Sequence, residues 1–165
     1  MGRSISILIL FLPYIFLCNV EFFACNFSTV RSFCFDVSGN DENAQSASTK
    51  TNLEFIVIDM ARANYTNIHR KVLTIDLNKT NPEYKHVYRM CLHEYVVLKS
   101  YFEDILNKVT FSGDLGRTAL EASNHLFTCM LSFIRSPNIP NPFVQDNENL
   151  QMFFDLLRDI YVAPL

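Results

Sequence analysis

Glycine is scarce in this chain and tryptophan is absent. Four glycines are spread over 165 residues, too few and too scattered for a glycine-rich loop that cradles phosphates. No G-x-S-x-G elbow occurs, and no cysteine–histidine pair has the pattern of an activated nucleophile. These gaps weigh against an enzyme. Basic runs are missing too. Fourteen Lys and Arg against seventeen Asp and Glu leave a net charge of −3, with no cluster to neutralise a row of phosphates. Nucleic acid is therefore not the expected partner; the balance suits a basic protein partner or no charged partner at all. Apolar residues make up 49% and charged residues only 19%, which excludes a disordered chain. The length suffices for one domain with a sizeable core.

What is present begins with a targeting segment. Arg3 supplies a positive start, and Ile5 to Val20 is almost wholly apolar. The run is short and broken by Pro13, so it reads as a cleaved signal peptide rather than a membrane anchor. Residues 1–24 are assigned to it and 25–165 to the mature domain, with the cut expected between Asn19 and Cys25. No membrane association is expected after cleavage.

Helical periodicity dominates the remainder. From Tyr84 to Val109 the apolar positions are Tyr84, Val87, Cys91, Tyr95, Leu98, Phe102, Ile105 and Val109. Steps of three and four place them on one stripe of a helix of about seven turns. Leu115, Ala119, Ala122, Leu126, Cys129 and Phe133 make a second such stripe. Each stripe carries one cysteine on its buried face. Upstream, Thr51 with Glu54 suggests a capping box opening a helix to about Ile75. Its face is Leu53, Val57, Ala61, Tyr65, Ile68, Val72 and Ile75, widened by Ile56 and Met60. Pro82 fits the first turn of the next helix, and Asp114 or Ser112 can cap the one after. Ser136 to Phe143 holds three prolines and predicts an ordered, non-helical connection. Asp146 or Asn147 is the expected cap of a last helix with Leu150, Phe153, Leu157, Ile160 and Tyr161 on one face. Residues 25–50 predict one or two short helices forming a clip, then a loop. The fold class is therefore all-α: four long amphipathic helices with short connections, an up-down-up-down bundle.

Cys18 lies in the targeting segment. Cys25, Cys34, Cys91 and Cys129 remain, an even number suited to two disulfides in a secreted chain. Proximity and the two stripes favour Cys25–Cys34 with Cys91–Cys129. The chain-entropy relation assigns the loops about 2.7 and about 4 kcal/mol. His86, Cys91, His93 and Glu94 resemble a metal cluster on paper. Cys91, however, falls on the core stripe, and the set reads as a disulfide cysteine flanked by solvated polar residues. His69 and His125 read as surface or boundary histidines. Asp155, Arg158 and Asp159 read as a charged helix face, and Glu103 and Asp104 as another. No catalytic residue, metal ligand or cofactor is assigned. Sequons stand at Asn26, Asn64 and Asn78. Asn78, in an expected loop, is the favoured glycan acceptor and Asn26 the second. Asn64 falls near its helix's apolar stripe, which argues against a glycan there.

These residues resemble the plant invertase and pectin methylesterase inhibitor family. The segment CNFSTVRSFC, from Cys25 to Cys34, is similar to the family's opening, two cysteines with eight residues between them. Cys91-Leu92-His93-Glu94-Tyr95 resembles its cysteine followed by an acidic residue and tyrosine. Thr128-Cys129 resembles the end of its small-residue helix, and Pro142 to Leu150 its proline-containing entry to the last helix. Tyr88-Arg89-Met90 and Phe153-Phe154-Asp155 depart from the usual pattern. The resemblance implies a four-helix bundle with an N-terminal helical hairpin. One disulfide would close the hairpin and one would staple two bundle helices. It further implies a secreted protein of the plant cell wall or vacuole that reversibly inhibits a pectin methylesterase or an acid invertase, one to one. The inhibitor would act by covering the enzyme's cleft, and its own binding face is not readable from the sequence. A secreted helical signalling or structural protein is the alternative from another class.

Overall fold

The computed structural model describes residues 20–78, 82–111 and 113–164. Among the described residues seven helices follow one another: α1 Val20–Phe27, α2 Arg31–Ser38, α3 Glu42–Gln45, α4 Lys50–Asn78, α5 Pro82–Thr110, α6 Leu115–Ile134 and α7 Val144–Val162. The four long ones form a ring in which α4 packs on α5, α5 on α6, α6 on α7 and α7 back on α4. Short connections between successive members make them run alternately up and down. The architecture is the expected all-α bundle, and α1 and α2 supply the N-terminal hairpin.

The apolar stripes account for the core. Cys91, Tyr95, Leu98 and Ile105 of α5 are fully buried, as are Ala119, Ala122, Leu126 and Cys129 of α6. Tyr84, at the end of its stripe, is only partly buried. Two residues outside the predicted stripes join the core, Ile58 of α4 and Tyr88 of α5. On α7, Tyr161 is exposed, whereas Phe154 and Leu156 are buried beside the expected face. The reason is that α7 meets α4, α6 and α1 at once, so more than one stripe of it is covered.

Both disulfides lie inside this frame. Cys25 is bonded to Cys34, with Cα atoms 5.4 Å apart, and Cys91 to Cys129, with Cα atoms 4.5 Å apart. The first joins α1 to α2 and the second joins α5 to α6.

Several helix ends differ from the sequence reading. α4 starts one residue earlier than Thr51. Thr49 caps it, its Oγ1 accepting from the Asn52 amide at 3.1 Å. Glu54 does not reach back as a capping-box partner; it is buried. α4 also runs on through Asn78 rather than stopping near Ile75. Asp114 caps α6, accepting from the Arg117 amide at 2.9 Å; Ser112 lies outside the described residues. Neither Asp146 nor Asn147 caps α7. The cap position is Phe143, which has no capping side chain, and its amide is taken by Asn141 Oδ1 at 2.9 Å. The polar stretch after α2, expected as a loop, contains α3, capped by Asp41 through the Ala44 amide at 2.9 Å.

The N-terminal hairpin begins before Cys25. Ala24 and Glu21 are buried in α1, and the Glu21 carboxylate accepts a hydrogen bond from Ser38 Oγ. The assigned boundary between residues 24 and 25 thus falls within α1, while residues 1–19 of the targeting segment lie outside the described residues. No helix among the described residues is long and apolar enough to cross a membrane.

Candidate functional site

Buried polar groups tie the helices of the bundle together. Tyr95 stands at the centre of the bundle. Its hydroxyl donates to Asn147 Oδ1, and Asn147 Nδ2 in turn points at the Cys129 sulfur at 3.7 Å. Tyr65 of α4 donates to the Tyr95 carbonyl at 2.8 Å. One chain of polar contacts therefore crosses all four long helices. Burial, reinforced by Asp146 and then Tyr65, holds the Tyr95 phenol far above its ordinary range, so it remains a neutral donor. Such a network is stable only when each member is satisfied.

The proline-rich connection is held as firmly. Ile139 and Phe143 are buried. The Tyr88 hydroxyl donates to the Pro140 carbonyl at 2.8 Å, and the Tyr88, Phe133 and Phe143 rings pack edge to face, an arrangement their quadrupoles favour. This is the structural use of Tyr88, which sequence periodicity had left off the core.

The hairpin is anchored by a residue the sequence reading placed on a solvated face. Asp159 is buried. Its Oδ2 accepts from Ser28 Oγ at 3.0 Å, from the Thr29 amide at 2.7 Å and from Thr29 Oγ1 at 2.7 Å. The turn between α1 and α2 is thereby tied to α7. Of the expected charged face, Asp155 and Arg158 do form an ion pair, at 3.3 Å, but Asp159 turns inward. No local signal marks such a contact, since its partners are 130 residues away in the chain.

The supposed metal cluster is dispersed. Cys91 is in its disulfide, His86 and His93 are exposed, and Glu94 pairs with His125 Nδ1 at 2.6 Å. His125 also lies against the Tyr101 ring. It is a bridge between α5 and α6 rather than an isolated boundary histidine. Among the described residues no three of His, Cys, Asp and Glu come together as a metal site. His69 stacks on Tyr65, its Nε2 buried with no hydrogen-bond partner. Burial, helped by the Lys99 charge, pushes its pKa down. Burial of Glu54 raises its carboxyl pKa, opposed by Lys50. Glu103 and Asp104 are exposed, as read from the sequence.

The three sequons fall in different settings. Asn26 is half-buried in α1, with Nδ2 donating to the Phe22 carbonyl at 2.8 Å. Asn64 sits mid-way along α4, its Oδ1 buried without a partner. Asn78 is the last residue of α4 rather than a loop residue; its side chain and the rest of its sequon lie outside the described residues.

The two roomiest of the grooves given by the described residues lie on either side of α4. One, of about 560 Å³, lies between α4 and the start of α7 and is lined by Asn64, Asn67, Arg70, Thr74 and Pro142. Lys71 bridges it to Asp146 at 2.8 Å. The other, of about 660 Å³, lies between α3 and α4, with Phe55, Ile56 and Met60 as its floor and Asp41 and Asp59 at its edge. Both are open to the surface rather than enclosed.

Comparison with known proteins is informative at the level of structure. No known family profile and no curated protein sequence matches the chain. A solved structure does: a mutant form of a pectin methylesterase inhibitor from Arabidopsis. The two align with a TM-score of 0.75 at 17% sequence identity, over 87% of this chain and 97% of the other. The protein therefore has the fold of that inhibitor, the helical bundle that its cysteine spacing and apolar stripes foretold.

Proposed function

We propose that this chain is a secreted protein inhibitor of a plant carbohydrate-active enzyme, with pectin methylesterase as its target. The observation that carries the reading is the fold shared, over almost the whole length of both chains, with a protein named as a pectin methylesterase inhibitor. The signal-like N-terminus and the disulfide framework support it. The chain does no chemistry of its own in this reading. A rigid face, braced by the Tyr95 network and the Cys91–Cys129 bond, covers the enzyme's cleft and excludes substrate. An interface of standard size would bury about 1,600 Å². Acid invertase, of the cell wall or vacuole, is the second target the sequence resemblance supports.

The protein acts in the cell wall space, with the vacuole as the alternative, and needs neither metal nor cofactor. Cleavage at the early end of the expected window, near Asn19, keeps the buried Glu21 and Ala24 in the mature chain. Asn78, at the end of α4, is the proposed glycan acceptor. Asn26 is the second, at the cost of its hydrogen bond to Phe22.

The test is a titration of the oxidised protein against panels of pectin methylesterases and acid invertases, at acidic and at neutral pH. One-to-one loss of esterase activity is the expected result. With a net charge of −3, association with a basic target should slow as salt rises. Inhibition of invertases alone would reassign the target. Silence across both panels would overturn the inhibitor reading in favour of a signalling or structural bundle.

A further inference from the structure

No contact within the bundle accounts for Asn64. It sits mid-way along α4, where asparagine is a poor helix former. Its Oδ1 is buried without a partner, a state that calls for an explanation in a folded protein. Its Nδ2 donates to no group among the described residues, yet it is not shut away like the oxygen. The core side of α4 covers the oxygen, and the nitrogen is left to the groove of about 560 Å³ between α4 and the start of α7. Asn26 offers the contrast, since its Nδ2 is taken by the Phe22 carbonyl at 2.8 Å. Asn64-Tyr65-Thr66 is a sequon. Thr66 is exposed, with its Oγ1 donating to the Arg62 carbonyl at 2.8 Å. The groove suits a hydroxylated occupant. Asn67 and Arg70 follow Asn64 on the same flank and are exposed, and Pro142 stands on the opposite wall. The Lys71–Asp146 bridge crosses two turns from Asn64, about 10 Å by the helical rise.

We propose that Asn64 carries an N-linked glycan whose first sugar lies in the α4–α7 groove. In the reaction Nδ2 bonds to the anomeric carbon of an oligosaccharide carried on a lipid pyrophosphate. The anomeric C–O bond breaks, the lipid pyrophosphate leaves, and Nδ2 gives up one proton. Sequons are modified on the extended chain, so the later helix does not forbid the step. Once α4 has folded, Oδ1 keeps its buried place and the linkage leaves through the groove. There Asn67 and Arg70 donate to the sugar's oxygens. The sequence pointed the other way because nearness to an apolar stripe does not say which end of an amide the stripe covers. The assignment rests on the secretory reading of the chain and not on which enzyme it inhibits.

The experiment is peptide mapping of the protein made in a plant cell host, once behind its own leader and once behind a leader of the host joined ahead of Asn19. An amidase that releases the glycan and turns its acceptor into aspartate, used in heavy-oxygen water, should mark Asn64 in the tryptic peptide of residues 63–70. Thr66→Ala should take one glycan from the intact mass, and Thr66→Ser should keep it. Thr66 faces water, so both variants should match the parent in circular dichroism. In protein trimmed to the first sugar, nuclear Overhauser contacts should join that sugar to Pro142. An unmarked 63–70 peptide from the host-leader protein would overturn the proposal, and a marked peptide without contacts to Pro142 would overturn the sugar's seat in the groove. Retention of only the own-leader chain inside the cell would overturn the secretory reading instead, with the host-leader protein still deciding Asn64.

Discussion

Replacing Asp159 by alanine is the sharpest test of how the hairpin is held. The carboxylate accepts three hydrogen bonds from Ser28 and Thr29. Hydrogen bonds to a charged acceptor contribute about 1.5–3 kcal/mol each, a gross total of roughly 5–9 kcal/mol. Two effects reduce it. Removing the carboxylate also removes its desolvation penalty, several kcal/mol for a buried ion. Thr29 is exposed, so its amide and hydroxyl regain water. A net loss of about 2–4 kcal/mol remains, or roughly 5–15 °C in melting temperature for a domain of this size. The loss should be local at first. The Cys25–Cys34 bond keeps α1 and α2 together, and the bundle is stapled separately by Cys91–Cys129. Hydrogen exchange should therefore quicken across Val20–Ser38 well before the amides of α5 and α6 respond. Asp159→Asn, which keeps one acceptor oxygen, should lose less. An Asp159→Ala protein that melts with the parent and keeps full hairpin protection would refute the reasoning.

Further expectations concern the core and the response to pH. Leu98 is fully buried at the middle of α5, so Leu98→Asp should cost about 4 kcal/mol or more by burying an unpaired charge. Glu103→Ala, on the exposed face, should leave the denaturant midpoint unchanged; equal midpoints for the two variants would overturn the assignment of faces. His69 has its pKa lowered in the fold from 6.5, so below that value the unfolded chain binds more protons than the folded one. Stability should fall as pH drops through 6.5 toward the lower folded value. His69→Gln should flatten that part of the stability–pH curve, and an unchanged slope would show that the histidine is not held neutral. Glu54 acts oppositely. Its raised pKa contributes stability present below 4.5 and lost as pH rises through the folded value, a dependence that Glu54→Gln should remove.

Most of the architecture was legible before any coordinates. Steps of three and four bury one face of a helix whatever its neighbours are. The stripes from Val87 to Val109 and from Leu115 to Phe133 therefore announced two core helices, and a cysteine in each stripe announced their staple. Helix ends were read less well, because a cap depends on which residue leaves helical geometry, not on which could serve. Thr49 displaced Thr51, and Phe143 displaced Asp146 and Asn147, for that reason. Residues off the stripes were missed where three elements converge. Tyr88 is buried because the proline-rich connection folds over it, and Asn147 because Tyr95 needs an acceptor at the bundle centre.

Asp159 marks the boundary between the two kinds of information. Its neighbours Asp155 and Arg158 make it look like one more member of a charged surface. Its burial depends on where the hairpin docks, and its partners Ser28 and Thr29 are distant in sequence. The outward side of α6, where Leu120, Phe127 and Ile134 are exposed, is the converse case. A sequence can show that Leu120, Phe127 and Ile134 share a face, but not that another face of α6 already fills the core. Periodicity reveals which side chains travel together along a helix. Which of those sides meets protein, and which is left to water, follows from the packing of all the helices at once.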